Sequence, residues 1–155
     1  MQPRIDDKKL QSLIPTTAQS LIAISTAVTA SGLEPSLIEL VKTRASQING
    51  CAFCLHMHTV DARAKGETEE RLYLLDAWRE APVYTDRERA ALGWTEALTL
   101  ITEGHAPDAA YDEARRHFSE SELAMLTSAI VTINAWNRIA IAYRFAPAVR
   151  AKAAA

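Results

Sequence analysis

Glu39 to His58 reads ELVKTRASQINGCAFCLHMH, and the rest of the chain is organised around it. Asn49-Gly50 stops a helix, because glycine is favoured just past a helix end. A new helix is predicted from Cys51 to Lys65, with Gly66 ending it. At roughly 100° per residue, Cys51, Cys54, His58, Asp61 and Lys65 fall on one face. Phe53, Met57, Val60 and Ala64 form the opposite, apolar face, which is predicted to pack inward.

This spacing suits thiol chemistry. Cys51 and Cys54 stand one turn apart, close enough to close a disulfide. The thiolate is the form that attacks a peroxide or a disulfide, and a helix N-terminus favours it. His58, one turn beyond Cys54, is placed to accept its proton or steady its thiolate. A second cysteine in reach condenses with a sulfenic acid to give a disulfide. Glu39, twelve positions before Cys51, is placed to orient the histidine or relay protons.

Taken together, Glu39, Cys51, Cys54 and His58 form a Glu-x11-Cys-x2-Cys-x3-His pattern with no insertion. It resembles the signature of the alkylhydroperoxidase D family, within the wider carboxymuconolactone decarboxylase superfamily. The resemblance implies a compact all-α domain and a thiol-dependent peroxidase. Carried over by position, it makes Cys54 the peroxide-attacking thiol, Cys51 the resolving one, and Glu39 and His58 a proton relay. It implies a hydroperoxide substrate, an external thiol or protein electron donor, no metal or organic cofactor, and a homo-oligomer such as a trimer or hexamer. Phe53 departs from the family pattern, which can carry a histidine between the cysteines. The decarboxylase branch typically lacks the cysteine pair, so Cys51 and Cys54 argue against lactone decarboxylation.

Two other readings stay open. One is a thiol-disulfide oxidoreductase without peroxidase activity. The other is a zinc-stabilised helical module that binds a partner protein, since Cys51, Cys54, His56 and His58 are zinc-ligand types. His56 and His58 lie roughly 160° apart on one helix, so Glu39 is the better fourth ligand for such a set.

Composition narrows the class. The 155 residues suit one domain over 1–155, large enough to bury a core. A net charge of −2 leaves no basic footprint for nucleic acid or an anionic membrane. Both cysteines of the chain sit in the motif, which fits a reducing cytosol better than a secreted disulfide scaffold. Lys8 and Lys9 precede an apolar run, Leu21 to Ala30, as in a signal peptide. Asp6, Asp7 and the polar residues between Gln11 and Gln19 interrupt that pattern, so an amphipathic helix and a cytoplasmic location are expected. No run approaches the roughly 20 apolar residues of a membrane-spanning helix.

The remaining pattern is helical throughout, giving an all-α fold of about six to eight helices with the Cys-x-x-Cys pair at a helix N-terminus. Leu10, Leu13, Ile14, Leu21, Ile24 and Val28 recur at helical spacing, and Pro15 separates a leading segment from a helix to about Ala30. Pro35 opens a helix to about Ile48 with Leu37, Leu40, Val41 and Ile48 apolar. Glu39 lies nearly opposite that stripe, so it serves the motif only if this helix is covered on two sides. Thr68 caps a helix to about Trp78. Thr85 and Glu88 form a capping box for a helix to about Thr102, with Ala90, Trp94, Ala97, Leu98 and Ile101 as its stripe. Asp108 to His117 is a short helix. Ser119 and Glu122 form a second box, opening a long helix to about Tyr143. Residues 148–155 read as a fraying tail. Asn134, Asn137 and Arg138 place polar groups at helical spacing in that long helix, as a buried network, a subunit contact or a pocket wall. His105 and His117 read as structural groups at helix ends, Trp78, Trp94 and Trp136 as core or interface anchors, and Asp61 as an exposed charge or a second partner for His58.

Overall fold

The computed structural model describes residues 2–149. Among them lie nine α-helical segments and no strand. They are α1 (Asp7–Leu13), α2 (Pro15–Thr29), α3 (Pro35–Asn49), α4 (Ala52–Ala64), α5 (Glu69–Leu74), α6 (Asp86–Thr99), α7 (Ile101–Gly104), α8 (Asp108–His117) and α9 (Glu120–Tyr143), with a 3-10 turn at Leu75–Ala77. The starts are chemical. Asp6 accepts from the Lys9 N–H, and Thr68 from the Arg71 N–H. Pro15 and Pro35 open α2 and α3. Both expected capping boxes, Thr85 with Glu88 and Ser119 with Glu122, are closed in both directions. The tail expected over 148–155 falls, from residue 150 on, outside the described residues.

The helix α3 is the axis of the fold. It packs against α4, α6 and α9, so almost its whole circumference is covered. Leu37, Ile38 and Val41 join Val28, Ala91, Trp94, Leu126 and Ile130 in the main core. Leu40 faces a second cluster with Leu75, Trp78 and Leu92. Ala45 faces a third, with Cys51, Cys54, Ile133 and Ala140. Glu39 is therefore buried together with its neighbours Ile38 and Leu40. The two-sided cover that the motif reading of Glu39 required is present.

Several expectations are overturned. Leu13 (60%) and Ile24 (39%) of the N-terminal stripe are exposed, and the helix capped by Thr68 ends at Leu74, giving way to the 3-10 turn before Trp78. The apolar face of α4 does not pack inward: Met57 is 39% and Val60 48% exposed, while Cys54, His58 and Ala62 are buried. The polar face turns to the core because Glu39 and Asn137 wait there with matching hydrogen-bonding groups. The helix after Thr85 ends at Thr99, three residues short of Thr102, and Ile101 is 41% exposed rather than part of the stripe. Leu100 leaves the helical region (φ −95°, ψ 39°), so α7 is a separate single turn. Thr99 is the last residue to face α9, where its hydroxyl accepts from Asn134 at 3.0 Å.

Gly50 is the corner between α3 and α4, with φ 67°. A Cβ there would meet nothing within 4 Å, so a substitution acts through the backbone alone. Gly50→Ala is expected to lower unfolding free energy by about 1 kcal/mol, the cost of a left-handed residue bearing a side chain. Urea unfolding of the two proteins measures it, and an unchanged midpoint would contradict the left-handed corner.

Candidate active site

The α3–α4 corner sets up the site. Cys51 is the N-cap of α4 rather than its first helical residue, with an extended backbone (φ −86°, ψ 96°). Its N–H donates to the Ser46 carbonyl at 3.0 Å. This fixes where α4 begins and therefore where Cys54 and His58 point. The two cysteine side chains approach to 3.3 Å as free, buried thiols.

Glu39 and His58 meet from the two helices. His58 Nδ1 lies 2.8 Å from Glu39 Oε2. The other carboxylate oxygen takes Lys65 Nζ at 2.6 Å, with Lys42 Nζ at 3.6 Å. Burial alone would raise the Glu39 carboxyl. Hydrogen bonds from His58 and Lys65 and the charge of Lys42 outweigh it and hold the group down at about 2. An ionised carboxylate only accepts, so Nδ1 carries a proton toward Glu39 and Nε2 is the ring nitrogen left free of it.

The thiols are unequal. The Cys54 S–H is the largest influence holding Cys51 down, to about 6, and it overcomes burial. The N–H groups of Cys54 and Phe53 and the Asn137 side chain add to it. Cys54 is pushed well above the ordinary thiol range, first by keeping its proton in the bond to Cys51, then by burial and the Cys51 charge. Both directions favour Cys51 over Cys54 as the seat of negative charge once the pair has lost a proton.

Access is unequal in the other direction. A cavity of about 340 Å³ opens beside α4, and its walls include Cys54 and His58 but not Cys51. Its other walls are mostly apolar, among them Ile22, Val28, Phe53, Ile133, Trp136 and Phe145. Phe53 stands edge-on to Phe145, with centroids 5.5 Å apart. Arg4 bonds to the carbonyls of Ala142 and Tyr143, which docks the N-terminal segment and brings Asp7 and Gln11 of α1 to the cavity.

All four motif residues are brought together. Lys65, which the wheel placed on the cysteine face, reaches Glu39, and Asp61 lies near the same carboxylate. Glu39, His58 and Asp61 each bring a ligand atom within 4.8 Å of the others. Neither cysteine joins that group, and Lys65 and Lys42 already engage Glu39, so the Cys-Cys-His-Glu zinc set is not assembled. His56 is not on the cavity wall. Sequence reasoning missed most of the cavity, since Ile22, Trp136 and Phe145 reach it through tertiary packing. The polar positions of α9 did carry a signal, since Asn134 and Asn137 stand out in an apolar helix.

The model of the carboxymuconolactone decarboxylase family matches residues 15–97, which contain the whole Glu-Cys-Cys-His set. The chain belongs to this family. It is 51% identical over 104 residues to the uncharacterised protein YdfG of Bacillus subtilis, covering 67% of this chain and 71% of that one. A crystal structure from Agrobacterium tumefaciens, of a protein of unknown function with a suggested antioxidant-defence role as AhpD, superposes with a TM-score of 0.90. The two share 44% identity, over 96% of this chain and 100% of that one. The debrominase Bmp8 shares the fold at TM-score 0.76 and 18% identity, over 88% of this chain and 74% of that one. The family assignment supports a general peroxidase-related enzymatic role.

The thiol order gives a direct expectation. In reduced protein, iodoacetamide alkylation of Cys51 should follow a midpoint near pH 6. Cys54→Ala removes the main donor to Cys51, so that midpoint should rise toward the ordinary 9.0. Mass-resolved alkylation against pH measures both, and an unmoved midpoint would reject the Cys54–Cys51 bond as its cause.

Proposed function

We propose that this chain is a thiol peroxidase that reduces organic hydroperoxides with an apolar body. The observation that carries the reading is the apolar cavity ending on Cys54 and His58, with Cys51 3.3 Å from Cys54. A hydroperoxide seated there presents its O–O bond to Cys54 and its carbon portion to Phe53, Trp136 and Phe145.

His58 Nε2 takes the Cys54 proton as the sulfur attacks the terminal peroxide oxygen. The O–O bond breaks, and the same proton goes to the departing alkoxide, giving Cys54 sulfenic acid and an alcohol. The raised Cys54 thiol needs such a base. Glu39 keeps Nδ1 protonated throughout. Cys51, already a thiolate, then attacks the Cys54 sulfur. Hydroxide leaves and the disulfide closes. An external dithiol supplies the two electrons that restore the pair.

The test is a thiol count without denaturant. One equivalent of cumene hydroperoxide should take two reactive thiols to none, and dithiothreitol should restore them. Cys54→Ser should not consume peroxide, and Cys51→Ser should react once and stop. Thiols that survive peroxide but reduce a small disulfide would replace this reading with thiol-disulfide exchange.

We propose further that the chain works as a homo-oligomer, a trimer or hexamer, in the cytoplasm. Support comes from Ile22 and Ile24 on α2, Met57 and Val60 on α4, and Val131 and Ile141 on α9, all large apolar residues at 39–58% exposure. No helix among the described residues is long and apolar enough to cross a membrane. Light scattering coupled to size exclusion should give a mass of three or six chains. A monomer at micromolar concentration would reject the assembly.

A further inference from the structure

The mechanism above leaves one buried group at the thiols unused. Asn137 of α9 is 0% exposed. It sits between Ile133 and Ala140, the residues that pack on Cys51 and Cys54 from α9. It lies on the α9 face against both thiols and favours the ionised form of each.

Which way that amide points is settled by its neighbours. Arg138 Nη1, which can only donate, gives to Asn134 Oδ1 at 3.0 Å. Asn134 Nδ2 then gives to the Ile130 carbonyl at 2.9 Å and to Thr99 Oγ1 at 3.0 Å. Asn49 Nδ2 gives to the Ala45 carbonyl at 2.9 Å, to Asn134 Oδ1 at 3.0 Å and to Asn137 Oδ1 at 2.9 Å. The Asn137 oxygen is thereby an acceptor from Asn49, and its nitrogen faces the other way. There it gives to Ser46 Oγ at 3.0 Å. Ser46 must accept, because its own hydrogen goes to the Lys42 carbonyl at 2.8 Å. A donor-only guanidinium at one end and acceptor-only carbonyls along the chain leave the network a single polarity. One N–H of the buried Asn137 amide goes to Ser46, and the second is left for the thiols beside it.

We propose that Asn137 is a catalytic residue whose amide N–H holds the negative charge on Cys51 or Cys54, following it from one sulfur to the other as the pair reacts. A thiolate accepts a hydrogen bond far better than a thiol or a disulfide, so the donor favours the reduced, ionised pair. A donor lying beside both sulfurs serves the attacking and the resolving step without moving. The network behind it, from Ser46 to Arg138, prevents the amide flip that would turn oxygen to the thiolate.

This inference deepens the peroxidase reading, but its test needs no peroxide. Of the titratable and charged groups on the elements around the pair, those at the site are His58 and Asp61 on α4, Lys65 at its C-cap, Glu39 and Lys42 on α3, Asp7 on α1 and Arg138 on α9. None is altered by substituting Asn137. Thiolate absorbance and alkylation are followed against pH in reduced Asn137→Ala, with Ser46→Ala as the control that disturbs the network but keeps the donor. The Asn137→Ala midpoint should rise by about one pH unit, so alkylation at pH 5 falls about ten-fold. Ser46→Ala should stay near the wild-type midpoint. Equal shifts in both, or none in Asn137→Ala, would overturn the proposal. Should Asn137→Ala not fold, the 15N and 1H shifts of the wild-type Asn137 side chain decide it. They should titrate with the thiol midpoint and stop titrating once the disulfide forms; flat shifts would overturn it. A peroxide-inert protein whose thiol midpoint still depends on Asn137 would sink the peroxidase reading and leave this one standing.

Discussion

An ionised carboxylate in the middle of the core constrains everything around it. Glu39 is 2% exposed. A buried carboxylate without partners would cost several kcal/mol or take up a proton. Its partners come from both sides: His58 and Lys65 from α4, and Lys42 from its own helix. α4 can lie only where it delivers His58 to one carboxylate oxygen and Lys65 to the other. That requirement fixes the α3–α4 angle, and the left-handed Gly50 corner makes it possible. The cysteine pair follows, since Cys51 caps the helix that this arrangement orients.

The inverted face of α4 follows from the same constraint. Helical periodicity predicts that Phe53, Met57, Val60 and Ala64 turn inward, and Met57, Val60 and Ala64 do not. An apolar side chain left at a surface loses on the order of 1–3 kcal/mol of burial. A buried charged cluster with its partner removed loses about 3–5 kcal/mol. The polar face therefore goes inside. The wheel fails here because it counts hydrophobicity and not complementary partners on another helix.

The sequence is informative where chemistry is local. Capping boxes at Thr85 and Ser119, Pro15, Pro35 and the Gly50 stop set helix starts and ends close to where they are found. The four motif residues are legible because their spacing across a helix–turn–helix converts directly to proximity. Asn134 and Asn137 are visible as polar positions in an apolar helix, and their burial is as expected of a network. What the spacing does not carry is their target. Asn49 and Ser46 lie on α3, over eighty residues earlier, and only the α3–α9 packing brings them to Asn137. The cavity is hidden for the same reason, drawing on α1, α2, α4, α9 and Phe145 beyond it.

The two cysteines divide acidity and access between them. An N-cap sulfur sits at the positive end of a helix with N–H groups aimed at it, so Cys51 is the natural anion. Cys54, inside the first turn, has its side chain on the cavity wall and keeps its proton against the Cys51 charge. With Phe53 rather than a histidine between them, the cavity wall at that point is apolar. Among the lining residues, His58 is then the one imidazole beside Cys54, and its free Nε2 depends on Glu39 staying ionised. The acidity of a carboxylate deep in α3 thus bears on whether a thiol one turn from His58 can lose its proton.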